Sequence, residues 1–300
     1  MSAKLTPAGE NGPTRLTSQL ISVLGAFVVP DVRATAEHYR DKLGFRLCWV
    51  LGEHPGQFGI VDFSEGQGIH LKSVDPSCSA ATGRPPVRGA PGAGGGSATG
   101  AGHGAGPAPG AGCDMYIRVT DADVRHADLA RRGARLLGPP RSTPQKQREF
   151  EVMDDNGFVL RFGSDIAGDW PGVVATEPVL AVTDVAATAR CWRERFGFEV
   201  RTPGDPSQHA VAVRDDACVR FTRAASPSLI GSNAPTGLWD AYVECFGVTA
   251  LHEELVARGA DIVRGPVLAE YGNLELTVRD DDGHVICFAV LRDDVERGEG

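Results

Sequence analysis

Val28–Phe45 reads VVPDVRATAEHYRDKLGF, and Ala181–Phe198 reads AVTDVAATARCWRERFGF. Asp31, Ala34-Thr35-Ala36, Arg40 and Gly44-Phe45 recur 153 residues later as Asp184, Ala187-Thr188-Ala189, Arg193 and Gly197-Phe198. A second set repeats at an offset of 126. Asp114, Tyr116, His126, Arg132-Gly133-Ala134, Glu149, Asp154-Asp155, Gly157 and Phe162 recur as Asp240, Tyr242, His252, Arg258-Gly259-Ala260, Glu275, Asp280-Asp281, Gly283 and Phe288. One offset held over some fifty residues marks an internal repeat, so the chain is four modules in the order A, B, A′, B′. The offsets differ by 27 residues, so the first half carries that excess between its modules. Ser77–Gly112 supplies it, with twelve glycines and almost no large apolar side chain. Such a stretch buries too little to offset its ordering entropy and reads as a flexible linker, with His103 a bystander.

Each module reads strand, helix, strands. In module A, LISVLGAFVV is rich in β-branched residues. Pro30-Asp31 stops the strand, Asp31 caps a helix over 32–43, and Gly44 ends it. RLCWVL, FGIVDFS and GIHLKS follow as short strands. Module B runs YIRVTD, a helix over 122–132, then RLLG, EFEVMD and FVLRFG, the last two joined by an Asp-Asn-Gly turn. A β-α-β-β-β unit cannot cover its own sheet, and two of them paired give a curved sheet around a cavity. The expected fold is therefore α+β, with four βαβββ modules forming two cup-shaped mixed sheets. Its segments are a tail at 1–19, a first domain at 20–165 (modules 20–73 and 113–165, linker 77–112) and a second at 176–292 (modules 176–224 and 238–292).

Composition narrows the function. A length of 300 residues suits two domains. A net charge of −9 gives no basic field for nucleic acid or anionic lipid. Apolar runs are far too short to span a bilayer, and no export signal opens the chain. The seven cysteines form no C-x-x-C and fit reduced thiols in a cytoplasmic protein. No P-loop, nucleophile elbow or dinucleotide fingerprint occurs.

The V-x-D-V-x-A-T-A-x-x-(Y/W)-R-x-x-x-G-F pattern at Val29 and Val182, with the Asp-Asp-x-Gly turns at Asp154 and Asp280, resembles the vicinal oxygen chelate superfamily. That superfamily includes glyoxalase I, bleomycin-resistance proteins and extradiol dioxygenases. The resemblance implies a paired βαβββ fold and two ligand positions per module, one in the first strand and one in the last. Here the first-strand positions are Leu24, Asp114, Glu177 and Asp240, and the last-strand positions are His70, Arg161, Arg220 and Cys287. Grouped by half, these give Leu24, His70, Asp114 and Arg161, then Glu177, Arg220, Asp240 and Cys287. A guanidinium has no lone pair to give a metal. The reading therefore favours no cofactor. His70 with Asp114 is the residual metal candidate, followed by Glu177 with Asp240 and Cys287, for Fe, Mn, Ni or Zn.

Arg220 is expected to face Glu177 and Asp240 and to keep both charged, and Arg161 to do the same for Asp114. Glu149 and Glu275 share a strand face with Glu151 and Asn273 and line either the cavity or solvent. Trp49, Trp192 and Trp239 either clamp a flat ligand or pack in the core. The expected function is binding of a small organic molecule without metal, by a monomer or homodimer. The alternative is a metal-dependent lyase, isomerase or dioxygenase of the same superfamily. A regulatory or assembly module with no ligand stands as a third class.

Overall fold

The computed structural model describes residues 18–53, 57–64, 67–73, 113–143, 146–165, 173–202, 208–226 and 230–298. The linker 77–112 and nearly all of the tail 1–19 lie outside the described residues.

Module A contributes β1 (Gln19–Val29), α1 (Val32–His38), β2 (Arg46–Leu51), β3 (Phe58–Ser64) and β4 (Gln67–Ser73). The Asp31 carboxylate accepts from the Ala34 amide, as an N-cap should, and the helix widens into a π turn over Tyr39–Leu43 that Gly44 ends at φ 73°. Module B contributes β5 (Met115–Val119), α2 (Ala122–Arg131), β6 (Arg135–Leu136), β7 (Arg141–Ser142), β8 (Arg148–Met153) and β9 (Val159–Ser164). Module A′ contributes β10 (Val173–Val182), α3 (Val185–Arg195), β11 (Glu199–Arg201), β12 (His209–Arg214) and β13 (Ala217–Arg223). Module B′ contributes β14 (Ala241–Phe246), α4 (Val248–Ala257), β15 (Asp261–Leu268), β16 (Leu274–Arg279) and β17 (Val285–Val290), with a terminal α5 (Arg292–Glu296). The RLLG stretch is strand only at Arg135–Leu136, and β7 appears where no strand was expected.

Two mixed sheets result. The first runs β15-β16-β17-β14-β1-β4-β3-β2 and the second β11-β12-β13-β10-β5-β9-β8-β6, with β7 against β8. The first sheet thus joins A to B′, and the second joins A′ to B. Grouping the ligand positions by sequence half is therefore corrected. One cup collects Leu24, His70, Asp240 and Cys287, and the other Glu177, Arg220, Asp114 and Arg161. The registers obey the repeat: Ala26 faces His70 as Val179 faces Arg220, and Tyr242 faces Cys287 as Tyr116 faces Arg161.

The apolar cores follow the other pairing. Val32, Tyr39, Leu71, Ile117, Leu129 and Phe162 pack A against B, while Trp192, Phe221, Val243, Leu251 and Phe288 pack A′ against B′. Each half of the chain holds one core, with Leu20 and Val23 of β1 reaching into the second, and each cup spans both halves. The cores are locked by a repeated bond from a helix to a turn. Tyr39 donates to Asp154 at 3.0 Å, and Trp192, its equivalent, donates through Nε1 to Asp280 at 3.2 Å.

Asp154 is buried, and burial together with neighbouring Asp155 raises its carboxyl from 3.8 to about 7. A carboxyl raised in the folded state favours folding while protonated. Its contribution is complete below about pH 4 and is lost as pH rises through about 7, by an amount on the order of 4 kcal/mol. Asp154→Asn is expected to flatten that interval of the stability–pH curve, read from urea midpoints. An unchanged slope between pH 4 and 7 would show that Asp154 does not carry it.

Candidate functional site

In the first cup the floor is aromatic. His70, on β4, has its ring 4.8 Å from Tyr242, 5.3 Å from Phe58 and 5.9 Å from Trp239. Burial pushes its imidazole down to about 3, so it is neutral, and Nδ1 has no partner among the described residues. Glu275 is buried and accepts from Tyr242 at 3.3 Å and from Tyr271; burial raises its carboxyl. Cys287 is fully buried, and burial holds its thiol well above the ordinary range. Trp239 and Leu291 pack over Tyr242, Cys287 and Ala289. His70, Glu275 and Cys287 are thereby 5%, 3% and 0% exposed, while Trp49 and Tyr271 stand half-exposed.

The second cup is charged. Arg220 donates through Nε to Glu177, and its guanidinium carbon lies 3.7 Å from the centre of the Tyr116 ring. This stack is a close cation–π contact. Arg161 donates to Glu151, through Nε at 3.0 Å, and lies 4.0 Å from Glu149. Tyr116 donates to Glu149 at 2.9 Å, with Gln147 3.2 Å away. The side chains of Arg220, Arg161 and Glu149 keep 22%, 20% and 16% of their exposure, against 4% for Glu177. Burial pushes the thiols of Cys113 and Cys218 up to about 12. A cleft of about 320 Å³ at the rim shares Gln147 with the floor.

Several expectations change. Arg220 meets Glu177 but not Asp240, which belongs to the other sheet, and burial raises the Asp240 carboxyl instead of Arg220 lowering it. Asp240 accepts from Ser232 Oγ and from the amides of Asn233 and Val285, each at 2.8 Å. Asp114 does the matching work for the Val159 amide at 2.7 Å, while Arg161 turns to Glu151. Both aspartates tie the first strand of a module to its last and line a small cavity of about 30 Å³ beside β1 and β10. His284, next after the turn glycine Gly283, is buried with Nδ1 3.1 Å from Asp280. Trp192 is core.

Tyr116 and Tyr242 were visible in the sequence only as repeated residues. The signal was there: each repeats at the same offset as the glutamate it bonds, Glu149 or Glu275. A glycine tunes the pair. Opposite Glu149 in the ladder stands Gly163, where an added Cβ would sit 2.0 Å from the Tyr116 hydroxyl oxygen. Opposite Glu275 stands Ala289, and there the Tyr–Glu bond lengthens to 3.3 Å. Gly163→Ala is expected to push Tyr116 off Glu149 and to cost about 1–3 kcal/mol, measured by urea unfolding. An unchanged midpoint would mean that the hydroxyl needs no such space.

A family model now places this fold. That of the glyoxalase/bleomycin resistance protein/dioxygenase superfamily matches residues 21–162 and 174–288. The chain belongs to this superfamily. Its tandem architecture is similar to that of glyoxalase I from Zea mays, at 12% identity over 94% of this chain and 95% of that one, with a TM-score of 0.61. A putative dioxygenase from Bacillus subtilis aligns at 10% identity over 91% of this chain and 86% of that one, with a TM-score of 0.58. Such distant likenesses show the fold alone. No curated protein sequence matches the chain.

The divalent metals implied by the superfamily do not fit the residues present. The first cup offers one imidazole, Leu24 has no donor, and the Asp240 oxygens are already engaged by three donors. In the second cup the two last-strand positions are guanidiniums, which cannot ligate and which repel a cation. Among the described residues no group of three or more His, Cys, Asp or Glu is placed to hold a metal ion. No helix among them is long and apolar enough to cross a membrane.

Proposed function

We propose that the chain binds a small organic molecule in the second cup, without metal and without turning it over. One observation carries this reading. The second cup keeps a half-open floor of fixed charged groups around Tyr116, whereas Trp239 and its neighbours close the first. A few convergent polar groups at the base of a concave sheet are the usual form of a small-molecule site. Glu177, Glu149 and Glu151 then serve to hold the guanidiniums and the phenol in place. The first-cup residues His70, Glu275 and Cys287 serve packing. The six described cysteines are free, which supports a reducing, cytoplasmic setting.

The test is a ligand-observed NMR screen of small fragments on the full chain in EDTA. Val211 stands opposite Arg220 in the β12–β13 ladder and so shares its sheet face; binders are expected, and their signals should vanish in Val211→Trp, which fills the second cup. A screen without a single binder, or with binders only after a divalent metal is added, would overturn the reading.

A further inference from the structure

We propose that the second cup selects an organic oxyanion, a carboxylate being the simplest case, and that Arg220 and Arg161 hold it. This rests on the reading just given and adds the ligand's charge. The warrant is which hydrogen-bonding groups of the floor remain unspent.

Arg220 uses Nε on Glu177 and its face on Tyr116, and among the described residues Nη1 and Nη2 make no hydrogen bond. Arg161 uses Nε and Nη2 on Glu151, and Nη1 makes none. Both side chains reach solvent. The acceptors are less open. Glu177 and Glu151 are 4% and 12% exposed and each has one oxygen on a guanidinium, and Glu149, at 16%, has one oxygen on Tyr116 and the other 4.0 Å from Arg161. The most exposed hydrogen-bonding capacity of the floor is therefore the N–H donors of the two guanidiniums. An ammonium ligand would have to reach the less exposed carboxylate oxygens and sit beside two guanidiniums. A carboxylate finds planar donors already oriented by their glutamates and by the Tyr116 ring, so little further freedom is lost on binding. Arg220 and Arg161 occupy the last-strand position of their modules. The donors are thus part of the chain itself and need no ion.

The experiment uses matched fragments: the same ring systems carrying a carboxylate, a carboxamide or an aminomethyl group, titrated calorimetrically into the full chain in EDTA at low salt. The carboxylates are expected to bind at least tenfold tighter than their partners. Arg161→Gln should erase that preference, Arg161→Lys should restore part of it, and Arg148→Gln, at the rim on Asp123, should leave it intact. Arg161 is chosen because removing Arg220 strips the buried Glu177 of its partner. Carboxamides or amines binding as tightly as carboxylates would overturn the charge assignment and leave the small-molecule reading standing. A set in which nothing binds would sink both.

Discussion

Arg220→Ala is expected to destabilise the protein by about 3 kcal/mol at neutral pH. The reason is Glu177, whose side chain is only 4% exposed and whose charge is answered by Arg220. Removing one partner of a buried pair leaves the other charge in a poor dielectric, which is worse than having neither. Arg220→Ala combined with Glu177→Gln should recover much of the loss. Urea midpoints at pH 7 read both variants. A deficit below about 0.5 kcal/mol at pH 7 would place the pair among ordinary surface ion pairs.

Trp192→Ala should cost about 4 kcal/mol, in the range for deleting a large buried aromatic. The ring is fully buried and meets Phe198, Phe221 and Phe196 edge-on at 4.9, 5.0 and 5.3 Å. Its Nε1 is also one of the donors that satisfy the buried Asp280, beside the amides of Asp282 and His284. Trp192→Phe keeps most of the packing and drops that bond, so a loss of about 1–2 kcal/mol is expected. Equal losses in the two variants would mean that packing is not what the indole supplies. Because this core binds A′ to B′ and each cup spans both halves, the alanine variant should also weaken fragment binding in the second cup.

The repeat was legible because its residues have local work. Asp31 and Asp184 cap helices, Gly44 and Gly197 take φ 73°, and the Tyr39 or Trp192 position reaches a turn aspartate. Such residues recur wherever the module recurs, whatever the module pairs with. Module pairing was not legible, because the edges of βαβββ units are alike and the choice between A–B and A–B′ is made by long-range contacts. Arg220 with Glu177 and Arg161 with Glu149, which fall in different halves of the sequence, meet on one floor only because the modules pair across the halves. The roles of Asp114 and Asp240 were not legible either, since a carboxylate that caps a strand and one that faces a cavity look the same in sequence. The closing of the first cup was hidden for a similar reason: Trp239 covers His70 through a segment far from it in the chain.

The central claim is that the second cup is built for a ligand and not for a metal. Calorimetric titration of Fe(II), Mn(II), Ni(II) and Zn(II) into the purified full chain, paired with elemental analysis, tests it most directly. The account predicts no stoichiometric metal in the protein and no saturable heat that depends on Glu177, with carboxylate binding unchanged by EDTA. One tightly bound equivalent that disappears in Glu177→Ala, or fragment binding that appears only with that equivalent in place, would contradict it.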